Sequence, residues 1–296
     1  MVIATGYFDG VHLGHRFLLE ALVKAARERK DESMVITFHP HPRAVLQKEA
    51  SSFRLISSRE EKKELILKAG VDHIEELEFT KEFAALTAAE YIDFLVCRFG
   101  CRAIVLGYDN RFGCDEKSHN EIASIAADKG VEVITLGACL SDSGIEVSST
   151  KIRKAIESGD CKAANQMLGR PYSIYGIVVA GNRIGRTIGF PTANVSPCDP
   201  LKIIPKGGVY LSRVHCLGKE FYGMTNIGRR PTVVNSTEIV IETNIFDFSE
   251  DIYSLEISVE FLERIRDEVR FNSLSELSAQ LSSDRNRCLS ILQTLR

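Results

Sequence analysis

The stretch that decides the fold of this chain follows its first apolar run and reads Gly6-Tyr7-Phe8-Asp9-Gly10-Val11-His12-Leu13-Gly14-His15. The residues before it (Val2, Ile3, Ala4) are typical of a buried strand, and an amphipathic run begins near Leu13. A strand, a glycine turn and a helix start, in that order, aim backbone N–H groups and the positive end of a helix dipole at an anion. The stretch therefore predicts a phosphate-binding β–α turn.

Two histidines in this stretch are candidates for chemistry. His12 and His15 are three residues apart, so they lie on one face of the first helical turn if the helix begins here. Two imidazoles beside a glycine turn can donate hydrogen bonds to a triphosphate and to the charge that develops when it is attacked. The alternative is an ordinary β–α turn with two surface histidines. The glycines and the preceding strand favour the phosphate site.

Length and composition limit the class of protein. The chain has 296 residues, enough for two domains, and with 44% hydrophobic and 26% charged residues it is typical of a globular protein. Its net charge is −3, from 37 basic and 40 acidic side chains, so no basic surplus points to nucleic acid or to an anionic membrane. No apolar run approaches the roughly 18–20 residues that span a bilayer.

Targeting signals and cysteine usage indicate the compartment. The chain runs directly into the glycine stretch, so we expect no signal peptide. Of the eight cysteines only Cys97 and Cys101 lie close together in sequence, which supports neither a zinc site nor a disulfide framework. We therefore expect reduced thiols and a cytoplasmic protein.

The first half of the chain alternates apolar runs with amphipathic helices. Capping boxes at Ser58–Glu61, Thr87–Glu90 and Ser118–Glu121 mark helix starts. Alternation of this kind predicts a parallel sheet covered on both faces, with ligands beyond the carboxyl ends of the strands. The predicted strands are residues 2–8, 34–38, 73–77, 102–106 and 131–136.

From about residue 173 the pattern changes to strands and turns without helices between them. Consecutive strands of this kind predict antiparallel pairing in a small barrel. A terminal helix capped by Ser273–Glu276 presents an apolar stripe that we expect to cover the barrel core: Leu274, Leu277, Leu281, Cys288, Ile291, Leu292 and Leu295. We place the domains at 1–165 and 166–296. The predicted strands are 173–180, 208–215, 220–225, 238–246 and 255–262.

A second candidate anion site precedes a predicted helix that ends at Gly159. Hydroxyls, backbone N–H groups and two basic side chains at one helix start suit a phosphate. The alternative is that the hydroxyls only cap the helix. The residues are Ser148, Ser149, Thr150, Lys151 and Arg153.

These motifs resemble known families over the whole chain. Residues 12–15 and 148–153 resemble the two ATP-contacting elements of the nucleotidyltransferase superfamily, and residues 37–42 and 107–113 resemble segments of one branch of it. Five ordered segments of the second half resemble riboflavin kinase: residues 185–194, 208–210, 226–232, 241–248 and 266–271. Essentially end to end, the chain is similar to the prokaryotic bifunctional FAD synthetases. The resemblance implies a Rossmann-like α/β nucleotidyltransferase domain followed by a riboflavin kinase-like β-barrel.

For the first domain the resemblance implies transfer of an adenylyl group from ATP to FMN, giving FAD and pyrophosphate. His12 and His15 would stabilise the phosphates as catalytic residues. The nucleotide would contact Gly6, Phe8, Asp9, Ser148, Ser149, Thr150 and Arg153, and the flavin would contact Asp109, Arg111 and Phe112.

For the second domain the resemblance implies phosphorylation of riboflavin by ATP. Glu242 occupies the general-base position, while Thr192 and Asn194 would bind Mg²⁺ or another divalent ion. Gly181, Gly185 and Gly189 would let the backbone approach the nucleotide phosphates, and Arg266 and Phe271 fall in the flavin-binding region. Riboflavin, FMN, FAD and ATP are the implied partners, without nucleic acid or membrane. The sequence leaves the oligomeric state open.

One loop departs from the family pattern, which usually continues after residue 113 with a basic residue and a glycine. This chain has Cys114-Asp115-Glu116-Lys117-Ser118-His119. Carboxylates near an incoming FMN phosphate would oppose its binding, so an alternative function is a riboflavin kinase with a weak adenylyltransferase domain. A third hypothesis, a flavin sensor without catalysis, is disfavoured because such a protein would not need Glu242, His12 and His15.

Overall fold

A computed structural model of the chain describes residues 1–46, 53–108, 110, 112–137, 147–181, 184–231 and 237–294. It divides into two compact units, Met1–Ser149 and Thr150–Arg296. In the part of the chain so described, no helix is long and apolar enough to cross a membrane.

The first unit is built on a five-stranded parallel sheet, as the alternating pattern predicts. Its spatial order is β3-β2-β1-β4-β5. All neighbouring strands pair in parallel. The carboxyl ends of the strands therefore meet at one edge. The strands are β1 (Val2–Thr5), β2 (Ser33–His39), β3 (His73–Glu78), β4 (Ala103–Leu106) and β5 (Glu132–Thr135).

Helices cover both faces of this sheet. Ile3 and Ile104 pack with Tyr91, Ile92 and Leu95 on one face. On the other face, Val2 and Val35 pack with Leu19, Leu22 and Ile66. All three predicted capping boxes form. The helices are α1 (Leu13–Glu28), α2 (Pro42–Leu46), α3 (Arg59–Lys68), α4 (Lys81–Ala84), α5 (Ala88–Phe99) and α6 (His119–Asp128).

The second unit is a closed six-stranded antiparallel barrel with the order β10-β7-β6-β11-β8-β9. The predicted barrel is confirmed. It also contains β7 (Ala193–Pro197), a strand that the sequence does not predict and whose first two residues belong to the riboflavin kinase-like segment 185–194. The other strands are β6 (Tyr172–Val179), β8 (Gly208–Cys216), β9 (Lys219–Pro231), β10 (Thr237–Ile245) and β11 (Glu256–Arg266).

In the described part of the second half, the helices are α7 (Ser149–Ser158), α8 (Cys161–Leu168), α9 (Ile184–Thr187) and α10 (Leu274–Thr294). The α8 helix is attached to the barrel through Asn165, whose side chain donates to the carbonyl of Phe261 (2.8 Å) and accepts from the N–H of Tyr172 (2.7 Å). The predicted domain boundary assigns Asn165 to the first domain.

The terminal helix α10 packs on the outer face of the barrel. Cys288 is fully buried with Val209 and Leu211 of β8, and Leu281, Ile291 and Leu292 pack around them. These residues confirm most of the predicted apolar stripe. Leu274 departs from it and is 55% exposed, because it is the first residue of the helix and lies beyond the buried cluster. Leu295 lies outside the described residues.

Candidate active sites

The glycine turn between β1 and α1 is compact and lies at the carboxyl edge of the parallel sheet. The N–H of Gly6 donates to the carbonyl of Ile36 on β2 (3.0 Å), and the N–H of Val11 donates to that of Phe8 (3.1 Å). Gly10 has φ +79°, and a Cβ there would lie 2.7 Å from Cγ2 of Ile56. Glycine is therefore required at this position both by the backbone conformation and by the packing.

The two histidines lie together at the start of α1, as their spacing predicts. His12 is the N-cap, and its Nδ1 accepts a hydrogen bond from the N–H of His15 at 3.3 Å. The rings are stacked, with centroids 3.6 Å apart and planes inclined by 16°. Because Nδ1 of His12 is an acceptor, the proton of the neutral ring is on Nε2, which is thereby a hydrogen-bond donor.

Asp9, predicted to line the nucleotide site, has its carboxylate directed at the protein itself. Its side chain is buried, and Oδ1 accepts from the N–H groups of Ile56 (3.0 Å) and Ser57 (3.1 Å). The hydroxyl of Ser57 in turn accepts from the N–H of Gly10 at 2.9 Å. These bonds attach the segment before α3 to the glycine turn.

The second predicted anion site is brought to the same turn. Ser149 begins α7, and its hydroxyl donates to the carbonyl oxygen of Asp9 at 3.2 Å. Ser148 precedes it, Thr150 follows in the first turn of α7, and Arg153 begins the second turn. The two elements that resemble ATP-binding motifs therefore meet at Asp9 and Ser149.

The loop after β4 reaches the same edge of the sheet. Asn110 donates from its amide to the carbonyl of Thr5 at the end of β1 (3.0 Å). Phe112 is buried, its ring 4.9 Å from that of Tyr91. Asp109 and Arg111, two predicted flavin contacts, lie outside the described residues. A cavity of about 410 Å³ opens beside this loop, lined by Asn110, Phe112, Glu116, Lys117, Ser118 and His119.

The acidic character of this loop is partly neutralised within the protein. Oδ1 of Asp115 accepts from the N–H of Ala88, the first residue of α5, at 2.9 Å, and its Oδ2 lies 3.9 Å from Nζ of Lys117. A carboxylate at a helix start is stabilised by the free N–H groups and the dipole there. Of the two loop carboxylates, only that of Glu116 is among the residues lining the cavity.

Lys62 of α3 was not predicted as a site residue. Only 2% of it is exposed, and Nζ donates to the hydroxyl of Thr37 at 2.9 Å and lies 4.0 Å from the ring centroid of Tyr7. Burial lowers the pKa of this ammonium group to about 8. In the sequence Lys62 belongs to the charged run 59–64, which is typical of a solvent-exposed helix face. The one sign that it is buried is that Ile66 follows four residues later, so both side chains lie on the same face of the helix.

In the barrel, three polar side chains form a row across adjacent strands. Glu242 of β10 is the register partner of both Asn194 of β7 and Asn226 of β9. Direct partners in antiparallel strands project to the same face, so the three side chains are neighbours. Asn226 belongs to the riboflavin kinase-like segment 226–232, but the sequence does not predict it as a site residue. The neighbouring Thr243 projects to the interior, where it is fully buried against Thr225.

The predicted phosphate and metal residues lie beside this row. A Cβ on Gly181 would fall 2.1 Å from the amide nitrogen of Asn194, so the glycine makes room for that side chain. A Cβ on Gly185 would lie 2.2 Å from the carbonyl of Phe190 and 3.7 Å from Cγ2 of Thr192. Gly189 has φ +81° and open space at its Cβ position.

Arg266, predicted to contact flavin, is engaged by the terminal helix. Its Nε and Nη2 both bond Oδ2 of Asp284 on α10, at 2.9 and 2.7 Å, and Asp284 is buried. The guanidinium carbon also lies 5.9 Å from the ring centroid of Phe271. The arrangement brings the two predicted flavin residues together and joins β11 to α10.

Comparisons with known proteins match both halves of the chain. A family model described as FAD synthetase matches residues 1–151, and one described as riboflavin kinase matches residues 168–292.

Two relatives are named bifunctional riboflavin kinase/FMN adenylyltransferase. The one from Bacillus subtilis (strain 168) is 36% identical over 297 residues, which is 100% of this chain and 93% of the relative. The one from Escherichia coli (strain K12) is 38% identical over 287 residues, 96% of this chain and 90% of the relative. A crystal structure described as a macrolide-efflux protein from Streptococcus pneumoniae has a TM-score of 0.89 and 36% identity, covering 96% of this chain and 92% of that one.

Proposed function

Because this chain belongs to the bifunctional riboflavin kinase/FMN adenylyltransferase family, we propose that its two units divide the family's two reactions. The barrel phosphorylates riboflavin with ATP to give FMN, and the parallel-sheet unit adenylylates FMN with ATP to give FAD and pyrophosphate. We assign these functions to residues 166–296 and 1–165. The observation that carries the assignment is the meeting of the two predicted ATP-binding elements through the Ser149–Asp9 hydrogen bond in the sheet unit.

Adenylyl transfer needs positioning and charge stabilisation rather than an activated nucleophile on the protein. An oxygen of the FMN phosphate forms a bond to the α-phosphorus of ATP while the bond to the β-phosphate oxygen breaks, and pyrophosphate leaves with that electron pair. Nε2–H of His12, His15, the hydroxyls of Ser148 and Thr150 and the backbone N–H of Ser149 donate to the phosphates, and Arg153 adds positive charge. The hydroxyl of Ser149 keeps its bond to the carbonyl of Asp9 and positions the start of α7. Gly6 and Phe8 shape the turn against the nucleotide.

Asp9 contributes to this site by position. Its carboxylate accepts from the N–H groups of Ile56 and Ser57, so it holds the turn in place from behind. We propose that the nucleotide meets the backbone of Asp9 rather than its carboxylate. A phosphate beside that carboxylate would be repelled by it.

Riboflavin phosphorylation requires a proton acceptor for the attacking hydroxyl. We propose that the carboxylate of Glu242 takes the proton of the ribityl 5′-hydroxyl as its oxygen bonds to the γ-phosphorus of ATP, and ADP leaves. Asn194 and Asn226 flank Glu242 in register and hold it in a polar row. Gly181, Gly185 and Gly189 belong to the nucleotide side of this site.

A divalent cation, which we take to be Mg²⁺, fits the oxygen donors beside this row. The hydroxyl of Thr192 and the amide oxygen of Asn194 are ligands of the kind that Mg²⁺ binds together with waters and nucleotide phosphates. Among the described residues there is no cluster of three His, Cys, Asp or Glu side chains that could hold a metal alone. Such an ion would neutralise charge on the phosphates of ATP.

The flavin contacts differ in how the structure supports them. Phe271 lies beside Arg266, and we propose that this pair forms one wall of the riboflavin site. For FMN we propose Phe112 with Asp109 and Arg111. The cavity at residues 110–119 supports that location, since Phe112 and Lys117 line it.

The weak-adenylyltransferase alternative loses part of its motivation. It rests on Asp115 and Glu116, and the carboxylate of Asp115 is engaged by the N–H of Ala88 and lies near Lys117. Glu116 is the loop carboxylate that lines the cavity, and the ammonium group of Lys117 lines it as well. We also propose a cytoplasmic location, which the seven cysteines of the described residues support because none of them forms a disulfide.

The purified protein tests this function directly. With riboflavin, ATP and Mg²⁺, separation of the flavins over time should show FMN first and FAD later, and a chelator should stop the reaction. Absence of FMN would refute the kinase assignment. Supplying FMN with ATP should give FAD and pyrophosphate at a comparable rate; FMN that stays unchanged would favour the weak-domain alternative.

A further inference from the structure

We propose that Lys62 is a positioning residue for adenylyl transfer: its charged ammonium group holds the glycine turn that presents His12 and His15. The inference rests on the proposed assignment of adenylyl transfer to the sheet unit. It adds a residue that acts on the histidines through Tyr7 and Thr37.

The α3 helix is attached to the glycine turn at two separate points. Before its first turn, the N–H groups of Ile56 and Ser57 bind the carboxylate of Asp9. One turn later, Nζ of Lys62 donates to Oγ1 of Thr37, and the Thr37 hydroxyl donates to the carbonyl of Tyr7 at 3.2 Å. Lys62 therefore supports the turn at Tyr7, while Asp9 supports it two residues later.

The ammonium group also contacts the turn directly. Nζ lies 4.0 Å from the ring centroid of Tyr7, within range of an attraction between a cation and an aromatic face. The ring of His41 packs on Tyr7 as well, with centroids 3.9 Å apart. A neutral amine would lose the attraction to the ring, so the position of Tyr7 depends on the charge of Lys62.

Several charged groups set the protonation of Lys62. The carboxylates of Asp9 on the turn and Glu76 on β3 favour the charged form, and Lys63 and Arg59 on α3 oppose it. Burial is the largest influence and brings the pKa down to about 8. Glu76 is itself shared, since its Oε1 contacts Arg59 and lies 3.9 Å from Nζ of Lys63.

An apolar side chain would satisfy the packing at this position better than a lysine does. Lys62 lies one helical turn before Ile66, which is fully buried in the core beside the sheet. Burial of an ammonium group opposes folding, because the charge loses its hydration. Packing alone does not account for a lysine here; support of the turn by a positive charge does.

The pH dependence follows from the position of Lys62 in the first unit. At neutral pH the group is charged, and it loses its proton as the pH passes about 8. Formation of FAD from FMN should therefore fall along a basic limb near that pH. Formation of FMN from riboflavin, which belongs to the barrel unit, should not share this limb.

The test compares three variants with the wild type, each assayed for both reactions from pH 6.5 to 9.5. Lys62→Met should lower FAD formation from FMN at least about tenfold at pH 7, because a small displacement of catalytic groups is enough for such a loss. Lys62→Arg should recover much of that rate and carry no limb near pH 8, since arginine stays protonated. Lys68→Met, at a lysine of α3 whose side chain is 68% exposed and pairs with Glu64, should match the wild type.

Kinase activity of the same samples shows that the barrel unit is intact and that protein concentrations are equal, and thermal unfolding followed by circular dichroism shows whether the sheet unit of each variant is folded. A Lys62→Met protein with the wild-type adenylylation rate would overturn the proposal, and so would a Lys62→Arg protein that keeps the limb near pH 8. If Lys62→Met fails to fold, the profiles of the wild type and Lys62→Arg decide. A wild type that makes no FAD from FMN would refute the proposed function instead.

Discussion

The carboxylate of Asp9 gives a prediction whose size follows from its hydrogen bonds. In Asp9→Asn an amide replaces a buried carboxylate whose Oδ1 accepts from two backbone N–H groups and whose Oδ2 accepts from Ile56 at 3.2 Å. The amide oxygen retains two weaker bonds, and its NH₂ group faces a donor. A hydrogen bond to a charged group contributes about 1.5–3 kcal/mol and a neutral one about 1, so we expect a loss of roughly 2–3 kcal/mol.

Thermal unfolding of the full chain measures this loss. For a unit of this size about 1 kcal/mol corresponds to 2–4 °C, so the transition of the sheet unit should fall by roughly 5–10 °C. FAD formation from FMN should fall with it, even at temperatures where the variant is folded, because the turn is no longer held. FMN formation from riboflavin should be unchanged.

Asp72→Asn is the matched control. Asp72 accepts from the N–H and the hydroxyl of Ser33 at 2.9 and 2.6 Å, at the start of β2 and away from the turn. Because Asp72 is exposed, this variant should lower stability by less than Asp9→Asn does, and without a specific loss of adenylylation. Equal losses of adenylylation in the two variants, or wild-type stability in Asp9→Asn, would refute the positioning role. A raised KM for ATP without a loss of stability would instead indicate direct nucleotide contact by the carboxylate.

Three further changes have expected outcomes. Asp284→Ala leaves Arg266 without its buried partner, and urea unfolding should show that the barrel is destabilised by about 2–3 kcal/mol. The loss is smaller than that for breaking a fully buried ion pair, because the arginine side chain is 17% exposed. Gly181→Ala should displace Asn194, whose amide nitrogen lies 2.1 Å from the new Cβ, and should lower kinase turnover with little change in adenylylation. Lys62→Met should unfold at a higher temperature than the wild type at pH 7. Lowering the pKa of Lys62 from 10.5 to about 8 on folding costs the wild type about 3 kcal/mol of stability, and the variant avoids this cost while losing the contacts of the ammonium group.

Each of these predictions has its own control or contrary outcome. Lys162→Ala removes an exposed partner of Glu263, 64% accessible, and should leave the urea midpoint unchanged. At Gly207 a Cβ meets nothing closer than 3.4 Å, so Gly207→Ala should keep kinase turnover. Between about pH 8 and 10.5 the unfolded chain keeps the proton of Lys62 while the folded protein has lost it. The free energy of unfolding of the wild type should therefore rise over this range relative to that of Lys62→Met. A constant difference over that range would contradict the assigned burial.

Local sequence patterns predict much of this fold, for identifiable physical reasons. Capping boxes such as Ser58–Glu61 need only residues three apart, so the hydroxyl and the carboxylate that form them are visible in the sequence. The pair of His12 and His15 follows from helical geometry in the same way. The parallel sheet is predicted because its buried strands are continuous apolar runs, and the barrel because its strands follow one another without helices.

What the sequence does not predict depends on partners distant along the chain. Asp9 meets Ile56 and Ser57, more than forty residues away, and nothing local distinguishes it from a carboxylate that faces a ligand. Arg266 is paired with Asp284 on the terminal helix, eighteen residues further along the chain, and no local pattern indicates this partner. Lys62 stands in a charged run, and its burial depends on the packing of α3 on the turn.

The central claim is that two separate sites in one chain perform two successive reactions, and a pair of variants tests it most directly. Glu242→Gln and His12→Ala are each assayed for FMN formation from riboflavin and for FAD formation from FMN. We predict that Glu242→Gln loses about 10²–10⁴-fold in the first reaction and retains the second, and that His12→Ala shows the reverse. Loss of both reactions in either folded variant, or of neither, would contradict the claim.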